Sequence, residues 1–132
     1  MPIKARLETK GFADYLERIA KAGLDVDAAA KEALQAGGEL LLAGMQRRVP
    51  KDTGNLHDSL AVEGPFSEGN WHYVTVGLSS GADSETARYG NVQEFGSSSM
   101  AAQPYVRPTL DNDMSKARKV MRSVFKKWEV LP

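Results

Sequence analysis

The chain has no cysteine among its 132 residues. That removes disulfide frameworks, thiolate metal sites and cysteine nucleophiles, and it leaves the redox compartment open. It has no net charge either: seventeen basic and seventeen acidic residues cancel, so nothing global favours nucleic acid or an acidic membrane. No run approaches the roughly 18 apolar residues of a membrane span. The opening Met-Pro-Ile-Lys-Ala-Arg carries no apolar signal segment. A protein soluble in the cytoplasm where it is made is therefore expected. Repeats and low-complexity tracts are also missing. At this length one domain, residues 1–132, can bury its own core.

Several catalytic signatures are lacking or misplaced. His57 and His72 are the only histidines, with no acidic residue at ligand spacing in a shared element, whereas a metal site needs three or four converging donors. Gly37-Gly38 sits within a helical pattern with no strand before it, so it is not a phosphate loop. The loop serines 79, 80, 97, 98 and 99 have no base or orienting carboxylate nearby in sequence. Asp52-Thr53-Gly54 spells the aspartic-protease tripeptide, where two carboxylates share a proton. Here it follows Arg47, Arg48, Pro50 and Lys51 instead of an apolar strand, and a dimer would be needed to supply the second carboxylate. A dimeric hydrolase at Asp52 is a remote alternative; Asp52 or Thr53 capping a short turn is the plainer one. The expectation is a non-enzyme with no metal and no cofactor.

What is present begins with periodicity. Ile3, Ala5 and Leu7 alternate with charged residues as a half-exposed strand. Phe12, Leu16, Ile19 and Ala20 form one helical stripe, stopped by Gly23. Asp25 or Asp27 caps a long helix that reaches about Arg48 and closes at Pro50. Its inward stripe is Val26, Ala30, Ala33, Leu34, Gly37, Leu41, Met45 and Val49. The small residues allow close packing, at a cost of roughly 1 kcal/mol per glycine relative to alanine; a kink at Gly37-Gly38 is the competing reading.

Leu60, Val62 and Phe66 mark a strand, and Gly64, Pro65, Gly69 and Asn70 make residues 64–70 a hairpin loop. In the second strand, 71–78, Val74, Val76 and Leu78 share one face while Trp71, Tyr73 and Thr75 share the other. Either the domain covers that second face itself, or Trp71 and Tyr73 anchor a protein interface. Flexible loops are expected within 79–102, chiefly 79–88, and residues 89–95 fit a short strand or a helical turn. Leu110, Met114, Ala117, Met121, Val124, Phe125 and Trp128 then keep helical period over about five turns. Asp111 and Asp113 lie near the start of that helix, and Lys126 and Lys127 near its end, matching its dipole. The fold class expected is α+β: a small antiparallel sheet packed against a long N-terminal helix and a C-terminal amphipathic helix.

Lys116, Lys119, Arg122 and Lys126 lie on the non-core side of the last helix, with Arg118 and Lys127. They form either a solvated face or one that meets DNA phosphates, and Arg47, Arg48 and Lys51 are candidates to join them. Pro104 and Pro108 stiffen the segment before this helix. Gln103 and Arg107 are pushed towards extended geometry, and Pro108 suits the first helical turn.

Two stretches resemble a known family. Val49-Pro50-Lys51-Asp52-Thr53-Gly54-Asn55-Leu56-His57-Asp58-Ser59-Leu60 is similar to a P-x-D-T-G-x-L-x-x-S-[IL] segment. Tyr89, Glu94-Phe95-Gly96 and Ala102-Gln103-Pro104-Tyr105-Val106-Arg107-Pro108-Thr109-Leu110 are similar to a Y…EFG…AQPF-[LV]-RPA signature. Both belong to the gene-product-ten-like head–tail joining, or tail-completion, proteins of long-tailed phages and prophages. The resemblance spans roughly residues 10–128. His57 departs where a basic residue is common, Tyr105 replaces Phe and Thr109 replaces Ala.

The resemblance implies a non-enzymatic virion protein at the head–tail junction, made in the bacterial cytoplasm. It implies a homo-oligomeric ring around the DNA channel, a monomer in isolation being compatible with that. Its partners would be other neck and tail proteins and DNA in the lumen, with no membrane. Candidate interface residues are Trp71, Tyr73, Glu94, Phe95, Gln103, Tyr105 and Arg107. Lys116, Lys119, Arg122 and Lys126 are candidates to face DNA. The runner-up is a DNA-binding accessory protein using that basic helix face.

Overall fold

A computed structural model describes residues 4–50 and 54–130. Strand β1 (Lys4–Glu8) leads through a single 3₁₀ turn at Lys10–Phe12 into α1 (Ala13–Lys21) and α2 (Val26–Arg48). The short α3 (Asn55–Asp58) precedes β2 (Leu60–Glu68) and β3 (Trp71–Leu78); α4 (Ser84–Phe95) and α5 (Val106–Glu129) follow. The sheet is antiparallel throughout, in the order β1-β3-β2. This is the expected α+β architecture.

Helix α2 is the spine of the molecule, and small residues let both neighbours approach it. A β-carbon at Gly37 would lie 2.7 Å from Leu7 Cδ2 on β1 and 3.0 Å from Met121 Cγ on α5. At Gly38 it would meet Val62 and Val74 of the sheet, and at Gly44 it would overlap the Asp113 carboxylate of α5. The glycines thus forgo helix propensity so that one helix contacts the sheet on one side and α5 on the other. The α2 pattern decided this correctly: Ala30, Ala33, Leu34, Leu41, Met45 and Val49 are all buried. Asp25 supplies the cap, accepting from Ala28 N–H at 3.1 Å.

Opposite α2, the inner sheet face is built by strand alternation. Ala5 and Leu7 pair with Val76 and Val74, while Leu60 and Val62 pair with Leu78 and Val76. Phe12 and Tyr15 close one end of the core against Phe125, with ring centroids 5.3 and 6.0 Å from it.

Several local expectations change. Ala20 is exposed and Tyr15 takes its place on the α1 stripe, because the stripe turns toward α5 at Phe125. The Gly23 stop holds: Gly23 N–H donates to Ala20 O and Leu24 N–H to Ile19 O, the double bond pattern of a left-handed helix end. The hairpin loop is shorter than 64–70. Strand β2 continues to Glu68, and its pairing with β3 shifts between Glu63 and Phe66. Gly64 (φ 119°) makes that bulge, a conformation L side chains avoid. The extra residue turns Phe66 outward beside Tyr73.

Residues 84–95 form one helix: of the two readings for 89–95 the helical one stands, and 84–88 join it instead of forming a loop. Asp83 caps it, accepting from Thr86 N–H at 2.7 Å. Its apolar face is too narrow for periodicity to reveal. Arg107 is helical, not extended, since α5 starts at Val106 and places Pro108 in its first turn. Ile3, Asp52 and Thr53, and with them the turn-cap and hydrolase readings, lie outside the described residues.

Candidate assembly surfaces

The stretch from Glu94 to Pro108 is built from the inside out. Glu94, at the end of α4, is buried, and its carboxylate accepts from the backbone N–H groups of Tyr105 (2.9 Å), Val106 (2.8 Å) and Arg107 (3.1 Å). These donors open α5 and have no partner within their own helix. A residue eleven positions upstream therefore caps α5, and its negative charge sits at the positive end of the helix dipole. Gln103 N–H donates to Gln93 O at 2.7 Å and ties down the loop between them.

Tyr105, proposed above as an interface residue, is fully buried. Burial pushes its phenol well above the ordinary range, and the nearby Glu94 charge adds to this. Tyr105 and Glu94 hold the segment in place, and neither presents a side chain to a partner. What the segment does present is Phe95, 55% exposed, and Met100, 39% exposed, with Gln103, Pro104 and Arg107 also outside.

Trp71 and Tyr73 lie half-buried on the outer sheet face. Helix α2 packs on the other face, that of Val62 and Val74, and Tyr73 is covered by side chains of the neighbouring strands. Arg6 lies 3.8 Å over the Tyr73 ring, and Phe66 packs beside it at 5.3 Å. Arg6 also pairs with Glu8 at 2.8 Å and Glu68 at 3.0 Å, and Lys4 pairs with Glu63 at 2.8 Å. Hydrogen bonds from these cations hold the Glu63 and Glu68 carboxyls below their ordinary range.

One interior cluster was missed by sequence reasoning. Asp113, read above only as matching the helix dipole, is buried against α2. Arg48 Nη1 donates to Asp113 Oδ2 at 2.7 Å, to Thr109 Oγ1 at 3.1 Å and to Gly44 O at 3.3 Å. Arg47 reaches the same carboxylate at 3.5 Å. The two arginines therefore serve the α2–α5 contact and do not extend the basic helix face. The Thr109 hydroxyl is satisfied in turn by Tyr105 O at 2.7 Å. The available signal was phase: Thr109 and Asp113 continue the four-residue row of Ala117, Met121 and Phe125, all buried.

His57 lies beside Asp58 at 3.0 Å, and His72 lies between Asp27 and Ser67 at 3.2 Å each. Among the described residues no group of three or more acidic or histidine side chains is placed to hold a metal ion, and no helix is long and apolar enough to cross a membrane. On α5, Lys116, Lys119, Arg122 and Lys126 are all exposed, spread over an arc of about 120° at 100° per residue. Lys127 instead pairs with Glu32 at 2.7 Å.

A long helix wedged between an antiparallel sheet and a C-terminal helix, with aromatic and basic residues on the outer surfaces, defines a small α+β protein. Within that class, the family model described as "Bacteriophage HK97-gp10, putative tail-component" matches residues 10–96, well over half of the chain, and the protein belongs to this family. The match takes in the whole Val49–Leu60 motif and ends on Glu94-Phe95-Gly96; Gln103 to Pro108 lie beyond it. Comparison with curated proteins and with solved structures gave no match. Membership makes the chain a phage tail component, a part of the virion that meets other phage proteins.

Proposed function

We propose that the protein is a non-enzymatic structural subunit of the head–tail junction, assembling as a tail-completion ring around the channel through which DNA passes. Family membership over residues 10–96 carries this reading. The disposition of the surface supports it. Among the described residues the exposed large apolar side chains are Phe66 on the β2–β3 hairpin, Phe95 at the end of α4, Met100 in the loop after it and Val130 just past α5. Head-to-tail ring contacts need two different patches on each subunit, and these supply them. The expected partners are further copies of the chain and neighbouring neck and tail proteins. Assembly begins in the bacterial cytoplasm and ends in the virion.

Deletion of the gene from the phage tests the proposal. Filled heads and finished tails should accumulate unjoined, and the protein supplied in trans should restore joined particles. Gold-labelled antibody should mark the neck of intact virions. Normal joined particles from the deletion strain, or label confined elsewhere on the tail, would overturn it.

A further inference from the structure

Charge in this chain is balanced overall but not locally. Residues 115–127 contain six basic residues and no acidic one. Elsewhere the cations are mostly neutralised within the chain: Lys4, Arg6, Arg18, Lys21, Arg47 and Arg48 each have a carboxylate partner. The side chains of Lys10, Arg118, Lys119, Arg122 and Lys126 make no ion pair or hydrogen bond among the described residues.

Three of these five converge. A cleft of about 410 Å³ opens where the end of β1 and the 3₁₀ turn meet α5, lined by Arg6, Glu8, Lys10, Phe12, Arg118 and Arg122. Arg6 is already neutralised by Glu8 and Glu68 and Lys10 shares the field of Glu68 without an ion pair, which leaves Arg118 and Arg122 with no carboxylate partner among the described residues around a concave surface. Arg118, Arg122 and Lys126 follow one another at four-residue spacing, a row about 12 Å long on the helix. Guanidinium groups present paired donors that match phosphate oxygens.

The form of the site favours a polyanion over a protein. Protein interfaces centre on apolar and aromatic anchors and are depleted in lysine. Among the described residues the exposed Phe66, Phe95 and Met100 lie on other elements and Val130 sits past the far end of α5, while the outer arc of α5 offers Ser115, Lys119, Arg122, Ser123 and Lys126. An extended row of cations exceeds what a single free phosphate needs and suits a repeating backbone.

We propose that this cleft and the outer face of α5 bind the phosphate backbone of duplex DNA without sequence preference. Lys10, Arg118 and Arg122 form the centre, and Lys119 and Lys126 extend the contact along the strand. The proposal rests on the neck reading only for which DNA is met, the DNA in the channel; the contact itself comes from the cleft.

Fluorescence anisotropy with the full-length protein and labelled duplexes of unrelated sequence, across a salt series, tests it. With four or five phosphate contacts, affinity should fall about 100- to 500-fold between about 50 and 200 mM salt. In the Lys10→Ala/Arg118→Ala/Arg122→Ala variant that fall should shrink to about tenfold, equally for every sequence. Arg118→Lys/Arg122→Lys should keep most of the salt slope, and Lys31→Ala/Arg88→Ala, which removes exposed cations elsewhere, should keep all of it. Circular dichroism should show each variant folded.

No binding at about 50 mM salt, or a triple variant with an unchanged slope, would overturn the proposal. Displacement of the duplex by poly-glutamate at equal charge would also overturn it, and would point to an acidic protein partner. A triple variant that loses DNA binding yet still joins heads to tails would leave the neck reading intact and remove only a requirement for the cleft in joining. Unjoined particles from the gene deletion, with no DNA affinity in the protein, would sink the cleft alone.

Discussion

Asp113 is a carboxylate kept ionised in the interior chiefly by the Arg48 guanidinium, with Arg47 adding to it at 3.5 Å. The Arg48 hydrogen bond lowers its pKa, burial works in the opposite direction, and the Arg48 charge adds to the lowering. An aspartate in the unfolded chain titrates near 3.9. Because the folded value lies below that, the pair's contribution is fully present above about pH 4 and is lost as pH falls through the folded pKa. Arg48→Ala at neutral pH should cost about 2–3 kcal/mol. That is less than the roughly 3–5 kcal/mol of a fully buried pair, because a quarter of the Arg48 side chain stays in solvent. The difference in unfolding free energy between wild type and Asp113→Asn should be constant from about pH 5 to 8. Below about pH 4 it should shrink. Urea denaturation at several pH values measures both; a gap that persists unchanged below about pH 3 would show that folding does not shift the Asp113 pKa.

At the scale of elements, α4 and α5 are joined by one side chain. Glu94 accepts three backbone N–H groups at the start of α5, while α5 itself has no capping side chain at Tyr105. Removing the carboxylate leaves buried donors unsatisfied, so Glu94→Ala should destabilise the protein by about 2–3 kcal/mol. Glu94→Gln keeps one acceptor and should cost about 1 kcal/mol. Amide exchange should then quicken at Tyr105, Val106 and Arg107 well before it does at the α2 core. Equal loss of protection in α2 would mean that the cap is not local. The same residue explains why Gly96 to Pro104 keeps a fixed course: Glu94 anchors one end and the Gln93–Gln103 backbone bond fastens the other.

For the whole molecule, stability and assembly use different residues. The core is the α2 spine with the sheet and α5, and the candidate contacts stand outside it. Phe95→Ser with Met100→Ser removes two exposed apolar side chains and should leave unfolding within about 0.5 kcal/mol of wild type. If the pair anchors a neighbouring subunit or neck protein, joining of purified heads and tails should slow by tenfold or more, about 1.4 kcal/mol. Normal joining would move the interface to the outer sheet face around Phe66 and Tyr73.

What the sequence determined by itself were features written in short-range pattern. Strand alternation in β1 and β3, the small-residue stripe of α2, the Asp25 cap and the period of α5 each follow from local spacing, and each stands in the structure. The family was legible too, because its motifs are contiguous. Tertiary structure alone decided which of the motif residues face outward. Tyr105 and Glu94 carry side chains that read equally well as anchors or as scaffold, and only the approach of α4 to the start of α5 buries them. Asp113 looked like a dipole partner until α2 brought Arg48 to it across 65 positions. The cleft between Lys10 and Arg118 likewise joins residues more than a hundred positions apart. Periodicity reports which face of an element is apolar; whether a polar side chain ends in water, in a cap or in an ion pair depends on what the rest of the chain places against it.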